Sequence, residues 1–203
     1  MTQGISEALA RRSIEEYAHL VAASTNDSDR VCLIMEAVEA PHIFFYGVLL
    51  HIPSVMALAT NPSFAWVPQL LEVLCYGNTA ELCALPADVQ KRLPSSIYEK
   101  MRKLSVLSLC RGDVISLKNI REIVGGSGDV EVEVLLLEMM SEGLIEGCID
   151  QRQDLFLLKD WAPRDVRPSE IGKMREKLEA WCANCDAQIT AIQRILKGEG
   201  EWQ

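Results

Sequence analysis

The chain has 203 residues and a formal net charge of −9, with 20 basic against 29 acidic residues. Its length suits one or two small domains, and its acidity argues against a general binder of nucleic acid or anionic membranes. Hydrophobic residues make up 49% and charged ones 24%, an ordinary balance for a globular chain with a real core. The longest obvious apolar run, Ile43 to Leu50, falls well short of the ~20 residues that span a bilayer. No hydrophobic signal core precedes Arg11 and Arg12, which argues against secretion. Seven cysteines (32, 75, 83, 110, 148, 182 and 185) are an odd number scattered along helix-like stretches. That is the pattern of reduced intracellular thiols rather than a disulfide framework, so the chain is expected in cytoplasm and nucleus with no membrane partner.

Residues 1–94 read as a helical-repeat region. Ile5, Leu9, Ile14, Ala18 and Val21 approximate one helical stripe, which the polar run Ser24 to Asp29 interrupts. Val31, Ile34, Met35 and Val38 repeat the i, i+3, i+4, i+7 pattern of a second helix. Pro41 suits a first turn, and Gly47 falls within a third apolar run. Pro53 opens a short piece to Ala59, and Pro62 precedes a helix through Leu70, Leu71 and Leu74 that stops near Gly77. Antiparallel helix pairs of this length usually stack as in solenoid repeats.

Leu93-Pro94-Ser95 breaks the pattern, and residues 95–160 form a second module. Ser96 and Glu99 offer a capping box for a helix running to about Arg111. Ser116 can cap the next helix, which ends at Gly125-Gly126; Asp129 or Ser127 caps a third that reaches about Glu142. Leu144 to Asp150 and Leu155 to Lys159 then read as a hairpin. Three helices and a hairpin are the layout of a winged helix, whose third helix enters the groove in DNA-binding members. Here that helix carries no positive charge. From Glu122 to Asp150 there are eight acids and no Lys or Arg, and Lys100, Arg102 and Lys103 give only a small basic face. Phosphate neutralisation supplies most of the affinity for a duplex, so the expectation is no DNA partner. On the third helix Val132, Leu135, Leu136 and Met139 make a core stripe, and Val130, Val134 and Leu137 make a second row. That row is either a contact surface or the mark of a more deeply buried helix.

Residues 161–167 are a proline-punctuated linker, and residues 168–203 carry the longest helix signal, roughly Ser169 to Lys197, stopped by Gly198. Its apolar residues keep a seven-residue beat: Ile171, Leu178, Cys185 and Ile192 at one position, Met174, Trp181 and Ile195 at the other, with Gln188 in the fourth slot. That is a coiled-coil seam in need of a partner, the other reading being packing against its own domain.

Residues for catalysis are sparse. His19, His42 and His51 are isolated, and Cys182-x-x-Cys185 lacks the second ligand pair of a structural zinc. Gly125-Gly126-Ser127-Gly128 follows a helix rather than a strand, lacks the lysine of a phosphate loop and runs into Asp129. The expectation is a non-enzyme with no cofactor and no metal.

Helical repeats, a winged helix and a long last helix, in that order, resemble PCI-domain subunits of the proteasome lid, the COP-nine signalosome and translation initiation factor three. Tyr46-Gly47-x-Leu49-Leu50-x-x-Pro53-x-Val55 is similar to a segment of the signalosome subunit-seven family, and Leu70-Leu71 with Tyr76-Gly77 to its Leu-Leu…Tyr-Gly helix end. Lys103-Leu104-x-Val106-x-Ser108-Leu109 matches that family in part. Gly147-x-Ile149-Asp150-Gln151-Arg152 resembles its wing, and Arg164-Asp165, then Leu178-x-x-Trp181-Cys182-x-x-Cys185, its last helix. Two departures stand out: Val130-Glu131-Val132-Glu133-Val134 lies where the family has Arg-Glu-Leu-Glu-Asp, and Cys148 replaces the wing lysine. The resemblance implies a non-catalytic scaffold subunit of a complex that removes Nedd-eight from cullin-RING ubiquitin ligases, with the metalloprotease site in another subunit. It implies winged helices aligned edge to edge and C-terminal helices gathered in one bundle, so the partners would be other signalosome subunits. Leu155, Phe156 and Leu157 on the wing are then expected beside one subunit contact, and Ile171, Met174, Leu178, Trp181, Cys185, Ile192 and Ile195 in the bundle. A lid or initiation-factor subunit is the alternative within this family, and a winged-helix nucleic-acid binder the alternative outside it.

Overall fold

The computed structural model describes residues 14–125 and 129–196. The chain divides after Asp165 into two compact units. In the first, α1 (helical over residues 14–23) leads to α2 (Asp27–Glu39), α3 (Gly47–Leu50), α4 (Pro53–Ala57), a 3-10 turn (Leu58–Thr60), α5 (Trp66–Tyr76), α6 (Thr79–Cys83) and α7 (Ala87–Gln90). The winged helix follows as α8 (Ser95–Leu107), β1 (Val114–Ser116), α9 (Leu117–Val124), α10 (Asp129–Ser141), β2 (Ile145–Asp150) and β3 (Leu155–Trp161). In the second unit a 3-10 turn (Pro168–Glu170) opens α11 (Ile171–Leu196). The protein is mostly helical with a small sheet and one long last helix, the architecture expected from the sequence.

Local chemistry sets the helix ends. Asn26 caps α2 by accepting from the Ser28 N–H at 3.2 Å, and Asn78 caps α6 by accepting from Glu81 N at 3.0 Å. Asp27 and Asp29 place negative charge at the positive end of α2. Helix α8 differs from expectation: the extended residue at its start is Pro94, and no side chain caps it, so Ser96 and Glu99 form no capping box. Pro94 has no N–H to orphan, which removes one need for a cap. The helix also ends at Leu107 rather than near Arg111. Asp129 begins α10, while Ser127 lies outside the described residues.

One hydrophobic core runs through the first unit. It includes Ile34, Tyr46, Leu49, Leu70, Leu71 and Leu74 from the helical array, and Ile97, Met101, Leu104, Ile120, Leu136 and Phe156 from the winged helix. At the centre of this shared core α8 buries a cation. Lys100 Nζ donates to Val38 O at 2.6 Å, to Ala40 O, to Ile43 O at 3.1 Å and to Tyr46 Oη at 3.2 Å. These acceptors close the C-terminal end of α2 and the turn after it, carbonyls that no helical N–H reaches. Burial pulls the Lys100 ammonium down to about 8, with Glu142 and Glu39 opposing that shift.

A second latch closes on the same place. Arg164 donates to Leu74 O and Gly77 O, both at 2.7 Å, covering the end of α5, and to Ser108 Oγ at 2.6 Å after α8. Asp165 Oδ2 accepts from the N–H groups of Tyr46 at 3.0 Å and Gly47 at 3.1 Å. Each charge therefore meets the helix end of opposite polarity. Gly47 is required by this approach, because a Cβ there would lie 2.5 Å from Asp165 Oδ1.

The sheet has three strands in the order β1-β3-β2, all antiparallel. β1 is not apparent in the sequence. Three residues carry too little alternation to read as a strand, and they extend only because β3 lies beside them, pairing Val114 with Leu157, Ile115 with Phe156 and Ser116 with Leu155. β3 also runs two residues past Lys159, to Trp161. The pairing of β2 with β3 shifts register between Glu146 and Gly147, and a Cβ at Gly147 would collide with Leu157 O and the Phe156 ring.

Two outcomes follow. Lys100→Met keeps the apolar stem but removes the charged donor from several buried acceptors, so it should cost about 2 kcal/mol at neutral pH in urea unfolding. Because folding lowers the lysine pKa, the wild-type ammonium burdens the folded state fully below about pH 8. That cost fades as pH rises toward 10.5, the ordinary lysine value. The stability gap between wild type and variant should therefore widen from pH 7 to pH 10, and a constant gap would contradict the assignment. Asp165→Ala, which leaves two N–H groups without their acceptor, should lose about 1–2 kcal/mol by the same assay.

Candidate assembly surfaces

The position of a reading helix is taken by α10. Its core stripe, Val132, Leu135, Leu136 and Met139, is buried, whereas Val130, Val134 and Leu137 are exposed, so the second row is a surface and not deeper core. The small basic face foreseen on α8 is largely spent. Lys100 is enclosed, and Lys103 Nζ pairs with Glu142 Oε1 at 2.7 Å and Glu138 Oε2 at 3.4 Å. Arg102 Nη2 lies 3.9 Å from Glu131 Oε2. What faces outward from α10 is apolar and acidic.

On the wing, strand alternation sorts the expected contact residues. Phe156 is fully buried in a row with Ile115 and Ile149, while Leu157 is 42% exposed in a row with Val114 and Cys148. Leu155 is half-buried. Leu155 to Leu157 do not lie on a free edge: β3 is the central strand, hydrogen-bonded on both sides. The unpaired edges among the described residues belong to β1 and β2. Phe156 thus serves this chain's own core, and Leu157 can contact a neighbour only through its side chain. Val114, missed because β1 went unrecognised, completes an outward apolar row of Val114, Leu157 and Cys148.

Taken alone, α11 is a 26-residue helix that would extend about 40 Å and buries none of its side chains. Ile171, Met174, Leu178, Trp181, Ile192 and Ile195 are all exposed, and Cys185 is half-exposed. Ile189 and Leu196 are exposed as well and widen the stripe toward the C-terminal end. Both sit four residues after an expected seam residue, Cys185 and Ile192, a spacing that was available in the sequence. The flanking charges are partly paired, Arg175 Nε lying 3.4 Å from Glu179 Oε1.

The remaining reactive groups are dispersed. His51 Nδ1 lies 2.6 Å from Gly47 O, a local contact within one helical turn. Burial pushes the Cys110 thiol up to about 11 and the Cys75 thiol higher still, with Asp165 adding to the latter. Among the described residues no three His, Cys, Asp or Glu side chains gather as metal ligands. Gly125, in the left-handed region at φ 69°, ends α9 through a bond from its N–H to Arg121 O at 3.0 Å, which makes it a helix stop.

No protein-family model matches the chain. It is similar to COP9 signalosome complex subunit 7a of Mus musculus, 26% identical over 189 residues, covering 88% of this chain and 65% of the relative. The COP9 signalosome complex subunit 7 of Drosophila melanogaster is 27% identical over 190 residues, covering 91% and 66%. The 26S proteasome regulatory subunit RPN9 of Saccharomyces cerevisiae is 26% identical over 177 residues, covering 83% and 44%. The alignments thus span about two thirds of the length of the signalosome relatives. With helical array, winged helix and long last helix in place, the fold is consistent with the PCI type, and the chain resembles COP9 signalosome complex subunit 7 over most of its length.

Proposed function

We propose that this chain is a non-catalytic scaffold subunit of a signalosome-type complex, the assembly that takes Nedd-eight off cullin-RING ubiquitin ligases in cytoplasm and nucleus. The observation that carries the reading is the exposed apolar seam of α11, a stripe that water alone does not favour and that a bundle of neighbouring helices would cover. Similarity to signalosome subunit 7 proteins over most of the chain supports the choice of complex. In this reading residues 1–94 and 95–160 form the repeats and the winged helix of one PCI-type domain. The wing meets a neighbouring subunit through the free edge of β2 and the outward row at Leu157. Ile171, Met174, Leu178, Trp181, Cys185, Ile192 and Ile195 anchor the chain in the bundle, with Trp181 as the largest anchor. Similarity to RPN9 favours a proteasome-lid subunit as the second reading.

Tagged full-length chain, expressed in native cells, should recover signalosome subunits by mass spectrometry. Leu178→Asp, which alters an exposed side chain, should reduce that recovery about tenfold or more without lowering the melting temperature. Recovery of lid subunits would move the assignment to the second reading, and unchanged recovery by the variant would remove α11 as the anchor. The acidic α10 also predicts no gel shift with duplex DNA even at low salt, where phosphate attraction is strongest. A salt-sensitive shift would restore the nucleic-acid reading.

A further inference from the structure

The scaffold reading assigns no role to the outer face of α10. Val130, Val134 and Leu137, spaced i, i+4, i+7, are 73%, 48% and 56% exposed, on a helix whose opposite side already fills the core. Beside this stripe a groove of about 320 Å³ runs between α8 and α10, with Val130, Val134 and Leu135 among its apolar lining and Glu99, Glu131 and Glu138 among its acids. Its cations are engaged from within, Lys103 by Glu138 and Glu142, and Arg102 near Glu131. Glu133, which accepts a hydrogen bond from Gln151 at 2.8 Å, adds a further carboxylate on α10. From Glu122 to Asp150 no Lys or Arg balances these charges. The face is therefore an apolar helical stripe, with a groove alongside it, set among carboxylates.

We propose that this face docks a basic amphipathic helix of another protein. Apolar residues of that helix at i, i+3 or i+4, and i+7 would seat on Val130, Val134 and Leu137. Lys or Arg on either side would pair with Glu131, Glu133 and Glu138. A helix suits the surface better than an extended strand because the face offers side-chain ridges and a groove, with no free backbone edge. The charges that repel a duplex are those that select this partner. A winged helix whose third helix carries no Lys or Arg thus reads a basic helix in place of a duplex. The site is independent of the α11 seam and of the scaffold reading.

The test uses the folded full-length chain and two labelled helical peptides of about five turns, one built on Leu and Lys, the other with every Lys replaced by Glu. Fluorescence anisotropy should show micromolar binding of the Leu/Lys peptide, at least about tenfold tighter than the Leu/Glu peptide and weakened by salt. Val134→Asp should reduce that binding about tenfold or more, whereas Leu178→Asp on α11 should leave it unchanged. The double variant Glu131→Lys, Glu133→Lys should shift preference toward the Leu/Glu peptide, a gain that misfolding cannot produce. Equal binding of both peptides, indifference to Val134→Asp, or loss on Leu178→Asp would each overturn the proposal. So would a dimer in sedimentation that Val134→Asp abolishes, since the face would then belong to a second copy of this chain.

Discussion

Tyr46 and Gly47 are where three separate parts of the first unit are tied. From α8, the Lys100 ammonium reaches the Tyr46 hydroxyl and the carbonyls that end α2. From the segment after β3, Asp165 accepts the N–H groups of both residues. Tyr46 itself donates to Ile43 O at 2.7 Å, closing the turn from inside. A buried ammonium is costly unless its donors are satisfied, and here three N–H donors face four oxygen acceptors. The penalty becomes an advantage only in one geometry. Removing the cation would take away the one donor that reaches Val38, Ala40, Ile43 and Tyr46 together, leaving that buried turn with only its local hydrogen bonds and loosening the registry between the helical array and the winged helix.

With α8 fixed in this way, the rest of the winged helix follows from its neighbours. α10 is drawn to α8 by core packing through Leu135, Leu136 and Met139 and by the pairing of Lys103 with Glu138 and Glu142. Those ion pairs cap the last turn of α10 with a cation, where the helix end favours one. They also consume the positive charge a nucleic-acid-binding surface would need. The same packing that orients α10 thus makes its outer face acidic, and fold and partner choice come from one set of residues. On the sheet, β3 takes the central place because both β1 and β2 pair with it, which leaves β1 and β2 at the edges.

What the sequence made legible was periodic. The core stripe on α10, the apolar stripe on α11 and the hairpin all repeat with a spacing that helix or strand geometry dictates, and each element forms where the spacing puts it. Non-periodic features stayed hidden. β1 is three residues long and exists through pairing with β3. Lys100, Arg102 and Lys103 look alike in the sequence, as one basic turn, yet one is enclosed among carbonyls and another is bound by two carboxylates. Arg164 and Asp165 read as part of a linker, because nothing local reveals that their partners lie 56 to 119 positions away. Phe156 and Leu157 were read alike for a related reason: which side of a strand faces inward depends on what packs there, and adjacent residues take opposite sides.

The apolar face of α11 argues for more than a pairwise coiled coil. A two-stranded seam needs only the a and d positions of the heptad, which here are Ile171, Leu178, Cys185 and Ile192 with Met174, Trp181, Gln188 and Ile195. Ile189 and Leu196 occupy the next position, e, and both are exposed. Adding e widens the stripe to the three-in-seven face that helices of multi-helix bundles present to a shared core. Toward the N-terminal end, position e is instead filled by Arg175, which pairs with Glu179. The apolar face therefore broadens along the helix toward its C-terminal end. Gln188 and Cys185 sit in the middle of it, a polar and a small residue where a uniform two-stranded coil would place large aliphatics. Such a break in the pattern costs some packing and favours the one register in which a partner can accommodate it.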